Sequence, residues 1–307
     1  MSKKNKEFNK VLRETSSVFG IVSFFVLVAY TISLLFPFVW SIITSLRDPI
    51  AFTMDRYAGF GLWPRDWGAP GTWANNYKTM FEQFGLMVAT ESGAQRKVKM
   101  LEMVYNSILY AGGSAILGTV ACLLVAYATS KFKFRFCSVI YTTVIIQMIL
   151  PIVGSLPSEI KMATQLGLYD TMVGMWIMKT YVSGLYFLVF YSSFQLIPNE
   201  YVEAAQLDGA GNYNIMFRIM FPFVKGSIFT IFLLKFIALW NDYQTPLLYM
   251  PTHPTFAYGI YEFSRGSNTG ELPVQLAAAM TMAIPLFAIF VAFQKRLLGD
   301  ITIGGLK

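Results

Sequence analysis

Charged side chains disappear from this chain in long blocks. No Asp, Glu, Lys or Arg stands from Thr15 to Leu46, from Met103 to Ser130, from Phe136 to Ser158, or from Leu272 to Gln294. Each block meets or exceeds the roughly 20 residues that a helix, rising about 1.5 Å per residue, needs to cross about 30 Å of hydrocarbon. Two more stretches are apolar but carry charge: 172–197 holds Lys179, and a stretch near 223–249 holds Lys235 and Asp242 beyond Lys225 at its start. The pattern predicts an all-α membrane protein with six transmembrane helices. It places a tail at 1–16, the first span at 17–46, a long loop at 47–102, five further helices in a core at 103–296, and a second tail at 297–307.

Composition agrees, with 55% apolar, 16% aromatic and only 13% charged residues among 307, a balance made for lipid. The position of the charge then sets orientation. Lys3, Lys4, Lys6, Lys10 and Arg13 precede the first span; Lys131, Lys133 and Arg135 fill the turn after the second; Lys295 and Arg296 follow the sixth. If six helices alternate, all of these fall on one side, and the positive-inside rule puts that side and both termini in the cytosol. Arg96, Lys97 and Lys99 lie in the long first loop, and long loops cross largely regardless of charge. The first apolar run is far longer than a signal-peptide core and lacks an Ala-x-Ala site, so it reads as a retained helix. Orienting charges account for the net +7, and no basic stripe interleaved with aromatics calls for nucleic acid.

Small residues recur every fourth position in the second span, at Ser114, Gly118, Cys122, Ala126 and Ser130. Such a face lets helices approach closely in lipid; its neighbour belongs either to this chain or to a partner. Cys122 and Cys137 make no disulfide framework and read as small apolar fillers. In the first outer loop, Trp63, Trp67 and Trp73 stand among Pro64, Pro70 and Gly71, as an interfacial aromatic belt or as a surface for an extracellular partner. The second outer loop, 250–273, mixes turn residues with Tyr258, Tyr261 and Phe263. No internal repeat relates the first three spans to the last three, which weighs against an inverted-repeat secondary transporter.

Catalytic chemistry has no anchor. The chain has no Gly-x4-Gly-Lys-Ser/Thr phosphate loop. His253 is its one histidine, and no Cys/His/Asp cluster has metal-ligand spacing. No catalysis is assigned to the chain. Polar residues within or near apolar spans carry more information: Asn106, Gln147, Lys179, Lys235, Asn241, Asp242 and Gln275. Such groups are costly in a membrane and mark a pathway or an interhelical hydrogen bond. Lys235, Asn241 and Asp242 are the candidates for a pathway or gate. Lys235 precedes Asp242 by two helical turns, about 10.5 Å along the axis, too far for a direct ion pair. It is expected to face a path through the membrane or to meet a carboxylate on a partner chain.

Between the fourth and fifth spans lies the segment 198–222. Pro198 ends the apolar run, and Glu200 and Glu203 suit the start of a short helix, where carboxylates meet the positive end of the helix dipole. Ala204 and Ala205 favour helix and keep a low profile, with Val202, Ala205 and Gln206 on one side. Asp208 and Gly209 turn the chain. A second short helix is expected over 212–220, and Pro222 opens the next span. The spacing of Glu203-Ala204-Ala205, Gly209, Ile219 and Pro222 resembles the EAA signature of bacterial ABC importer permeases, with Phe221 where the usual residue is Leu. The likeness extends from Asn106-Ser107 through Ala126-Tyr127-Ala128 and Phe132-Lys133-Phe134. It continues in Trp240-Asn241-Asp242-Tyr243 and in the tail from Gly299 to Lys307. These features resemble the second permease subunit of maltose-type sugar importers.

The resemblance implies a type I importer in a bacterial cytoplasmic membrane. Its parts would be a second permease subunit, an ABC ATPase dimer and an extracellular solute-binding protein. It implies that the short helices dock as coupling helices in a groove of the ATPase. Glu203 would meet a basic residue there, and Gly304, Gly305 and Lys307 would reach the ATPase dimer interface. ATP and Mg would belong to the partner, with no cofactor in this chain. A sugar or oligosaccharide is the implied cargo, although in maltose-type systems the other permease can supply the sugar site. Glycerol phosphates and polyamines are the competing cargoes, and a stand-alone secondary transporter is the competing class.

Overall fold

The computed structural model describes residues 3–57, 72–89, 93–132, 134–150, 154–182, 184–265 and 272–301. The elements run α1 (Lys3–Ser45), α2 (Pro49–Tyr57), α3 (Thr72–Gln83), β1 (Gly85–Ala89), β2 (Gln95–Lys99), α4 (Met100–Lys131) and α5 (Arg135–Ile149). Next come α6 (Leu156–Gln165), α7 (Met172–Lys179), α8 (Gly184–Gln195), α9 (Glu200–Leu207) and α10 (Asn212–Asn214). A π-helical turn (Ile215–Met220) leads to α11 (Phe221–Phe223), α12 (Lys225–Trp240), α13 (Gln244–Tyr249), α14 (Phe256–Arg265) and α15 (Leu272–Ile301).

Among the described residues, three helices are long and apolar enough to cross a membrane unaided: Phe19–Ser45 within α1, α4, and Leu272–Val291 within α15. Two more candidates are bent pairs, α7 with α8, and α10–α11 with α12, the latter bent by 75°. A sixth apolar helix, α5, has 15 residues. The expectation of an all-α chain needs one amendment. The long first loop holds an antiparallel hairpin that pairs Gly85 with Lys99 and Ala89 with Gln95. Val88 and Val98 turn the same face inward. Alternation over five residues was too short to stand out beside its polar flanks.

The chain divides into two compact units. In the first, 1–82 with 270–280, the most apolar part of Phe19–Ser45 buries nothing within the chain, as a helix surrounded by lipid does, while Thr44 and Ser45 at its end are buried. Its end is tied off by side chains. Asn76 donates to the carbonyls of Ser45 and Arg47 at 2.9 and 2.6 Å, and Ser45 Oγ lies 3.0 Å from Tyr77 Oη. Asp48 accepts from the Ala51 N–H at 2.9 Å, capping α2.

The second unit, 83–269 with 281–307, is built around α4, which packs against α7, α8 and α12. The neighbour of the small-residue face therefore lies in this chain. Ser114, Gly118, Cys122 and Ala126 are all buried, and a Cβ on Gly118 would stand 2.8 Å from Lys235 Nζ and 3.3 Å from the Lys179 carbonyl. One core cluster gathers Tyr127, Phe187, Phe190, Phe194, Ile215 and Met220. A second joins Tyr110, Ala163, Met175, Tyr249 and Met250. Asn106 and Ser107 tie α4 to the loop that follows α13. Asn106 donates to Pro254 O at 3.1 Å, and Ser107 Oγ accepts the Phe256 N–H at 2.7 Å.

Candidate functional site

The 198–222 segment forms two short helical pieces around a tight turn. Asn199 opens α9, its carbonyl accepting the N–H groups of Val202 and Glu203 at 2.9 and 3.0 Å. Glu200 and Glu203 occupy the first turn, where carboxylates face orphan N–H groups. The helix ends in a paired reverse bond: Ala210 N–H to Ala205 O at 2.9 Å and Gly209 N–H to Gln206 O at 3.0 Å. Gly209 sits between them at φ +82°, the left-handed glycine that this C-terminal motif calls for.

Burial divides these residues by task. Ala205 is buried in the core cluster with Ile215 and Met220, and Val202 packs against the same cluster. The side read as holding Val202, Ala205 and Gln206 together is divided: Val202 and Ala205 face the chain's own core, and Gln206 is exposed. Glu203, Ala204, Asp208 and Gly209 are exposed. With them stand large apolar side chains: Tyr201 is 50%, Leu207 90%, Tyr213 79% and Phe217 57% exposed. Phe221, the departure from the signature, lies with its ring 6.0 Å from Tyr127 and 6.3 Å from Phe194. An aromatic is held there by aromatics.

A staple fixes the entrance to this segment. At the end of α4, Lys131 Nζ donates to Ile197 O at 2.7 Å and to Asn199 Oδ1 at 3.1 Å. It thereby satisfies a carbonyl beyond the end of α8 and holds the residue that starts α9. The sequence marked Lys131 only as an orienting charge. The tail residues Gly304, Gly305 and Lys307, and the tryptophans Trp63 and Trp67, lie outside the described residues, as does the side chain of Trp73.

The polar residues of the apolar spans separate into two places. Lys235 is 8% exposed, with its ammonium 3.8 Å from Cys122 Sγ and 5.7 and 5.4 Å from the ring centres of Tyr181 and Tyr186. Electron-rich ring faces offset part of the cost of burying a cation. Asp242 faces elsewhere. Its Oδ2 accepts from Tyr110 Oη at 2.8 Å and meets Lys179 Nζ at 3.4 Å, while its Oδ1 accepts the Thr245 N–H at 3.0 Å. Lys179 Nζ also donates to Thr245 Oγ1 at 2.9 Å. Asn241 is exposed and donates to Ile237 O at 2.8 Å, closing α12. The cation for Asp242 is thus Lys179, with Lys235 apart from both. Sequence marked Lys179 as an interruption in an apolar run, but its partner lies 63 positions away.

Residues 84–302 match the family described as binding-protein-dependent transport system inner membrane component. The melibiose/raffinose/stachyose import permease protein MelC of Bacillus subtilis (strain 168) is 28% identical over 220 residues, covering 70% of this chain and 79% of MelC. The trehalose/maltose transport system permease protein MalG of Thermococcus litoralis is 27% identical over 280 residues, covering 89% of this chain and 91% of MalG. Among solved structures, a chain of a bacterial ABC transporter involved in import of the acidic polysaccharide alginate superposes with a TM-score of 0.72 at 20% identity. That match covers 92% of this chain and 97% of the other, and at such identity it speaks to the fold. The matched region takes in α4 to α12 with the whole 198–222 segment, and the chain belongs to the family of inner-membrane components of binding-protein-dependent transport systems.

Proposed function

We propose that this chain is one of two permease subunits of an ATP-driven type I importer. Its cargo is a sugar or oligosaccharide handed over by an extracellular solute-binding protein. One observation carries the reading: in 198–222, Ala205, Ile215 and Met220 anchor the segment in the core, while Leu207, Tyr213 and Phe217 stand exposed. A firmly held segment that presents large apolar side chains is a docking surface for another protein. The docking partner is an ABC ATPase dimer, which holds the ATP and Mg; this chain carries no cofactor. Glu203, Ala204, Asp208 and Gly209 face the ATPase groove as coupling helices, with Ala205 as their anchor. The tail residues Gly304, Gly305 and Lys307 reach the ATPase dimer interface.

Six spans follow if α1, α4, α5, the α7–α8 pair, the α10–α12 unit and α15 each cross once. Both termini then face the cytosol of a bacterial cytoplasmic membrane. The sugar cargo is supported by the relatives named for melibiose, raffinose, stachyose, trehalose and maltose. Glycerol phosphates and polyamines are the alternative cargoes of the same machine. A stand-alone secondary transporter leaves the exposed apolar segment without a task. Lys235, Asn241 and Asp242 are assigned to the switching core, where a partner shifts the balance between states only through differential affinity for them.

Replacing Leu207 with Asp tests the docking. This side chain is 90% exposed, so its loss costs the chain's own fold little. Burying a leucine at an interface is worth about 1.5–3 kcal/mol, so the L207D complex should lose its ATPase at least about tenfold while keeping the second permease. Undiminished recovery of the ATPase with L207D would overturn the reading.

A further inference from the structure

A cleft of about 470 Å³ opens between α6, α7 and α13, in the range of small-molecule sites. Its apolar walls include Met162, Met178 and Tyr181, and its polar groups include Glu159, Lys179 and Gln244. None of these was singled out as a ligand contact from the sequence.

The hydrogen-bonding capacity of the cleft is specific in kind. A lysine ammonium has three donors; Lys179 directs them to Asp242 at 3.4 Å and Thr245 at 2.9 Å, which leaves a third. Glu159 accepts from Tyr249 Oη through Oε2 at 3.0 Å, and a carboxylate has about four acceptor positions in all. Gln244 is exposed and offers an amide that both donates and accepts. The site thus presents donors and acceptors together, with one cation and one anion on its walls. A phosphate ester would gain Lys179 but face the Glu159 carboxylate, and a polyamine would gain Glu159 but face the Lys179 ammonium, so each charged cargo also meets a like charge. A sugar hydroxyl donates and accepts at once and carries no charge. The C–H faces of a sugar ring suit Tyr181 and Met178.

We propose that this cleft is a receiving site for a neutral sugar unit, contributed by this subunit itself. Asp242 and Tyr110 act behind it as positioning residues: Tyr110 donates to Asp242 at 2.8 Å, and Asp242 holds Lys179 toward the wall. The proposal rests on the sugar-import reading, and the experiment separates the two.

The whole transporter is purified with its solute-binding protein, which is first titrated with melibiose, raffinose, trehalose and maltose, and with spermidine and glycerol 3-phosphate. The tightest-binding sugar, tritium-labelled, is the probe for uptake into proteoliposomes. Gln244→Trp and Met162→Trp fill the cleft from exposed positions, Met162 being 48% exposed. Uptake should fall at least about tenfold in both, the equivalent of 1.4 kcal/mol, while the binding protein still stimulates ATP hydrolysis. Gln244→Asn, which keeps the amide, should retain at least half of wild-type uptake. If a tryptophan variant does not assemble, Gln244→Ala decides in its place, with half-saturating sugar raised about fivefold or more, roughly 1 kcal/mol. Uptake within twofold of wild type in the assembled variants, or an unchanged half-saturation, overturns the cleft as a sugar site and leaves the importer standing. A binding protein that takes only spermidine or glycerol 3-phosphate overturns the sugar reading and the cleft proposal together.

Discussion

A φ of +82° at Gly209 places its backbone in the left-handed region, which costs an ordinary L-residue about 1–2 kcal/mol. Space is not the constraint, because nothing lies within 4 Å of a Cβ added there. The prediction therefore turns on conformation and not on bulk. Gly209→Asn, a residue that tolerates this region, should keep uptake near wild type. Gly209→Val should disrupt the bonds from Ala210 to Ala205 and from Gly209 to Gln206 and lower sugar uptake per ATP several-fold. Uptake measured alongside ATP hydrolysis in the same proteoliposomes decides between them, and an unimpaired Gly209→Val would count against the turn as part of the coupling. Gly209 was legible in the sequence because a helix stop is a local event. The orientation of Ala205 was not. Which side of a two-turn helix faces inward depends on Ile215 and Met220, which share its core cluster, and spacing within α9 carries no record of them. The ion pair at Asp242 escaped for a related reason: its nearest charged residue along the sequence, Lys235, is held instead by Tyr181, Tyr186 and Cys122.

At the scale of elements, the charge-free blocks of the sequence fall on α1, α4, α5 and α15, but the breaks in the two remaining apolar stretches were hidden. The bend of 75° before α12 falls at Val224, whose φ of −104° and ψ of 14° interrupt the helix two residues after Pro222. The staple from Lys131 joins α4 to the start of α9 and fixes the direction in which the 198–222 segment leaves the end of α8. Charge-assisted hydrogen bonds of this kind are each worth about 1.5–3 kcal/mol. Lys131→Ala should therefore leave the transporter assembled and hydrolysing ATP while uptake per ATP falls several-fold, and Lys131→Arg should restore part of it. A Lys131→Ala complex with wild-type uptake per ATP hydrolysed would show that the staple serves packing alone.

At the scale of the whole molecule, the division of labour follows from what the chain presents. Within the second unit α7, α8 and α12 pack on α4, and the 198–222 segment leaves Leu207, Tyr213 and Phe217 exposed. Family membership through residues 84–302 sets the class of machine, and in the proposed importer its power enters at 198–222. Uptake by the reconstituted complex of this chain, a second permease, the ATPase and the binding protein tests this account most directly. Labelled sugar carried by the binding protein is offered to proteoliposomes with and without ATP on the ATPase side. The account predicts accumulation only when both ATP and the binding protein are present. Accumulation by this chain alone, driven by an ion gradient without either, would contradict it.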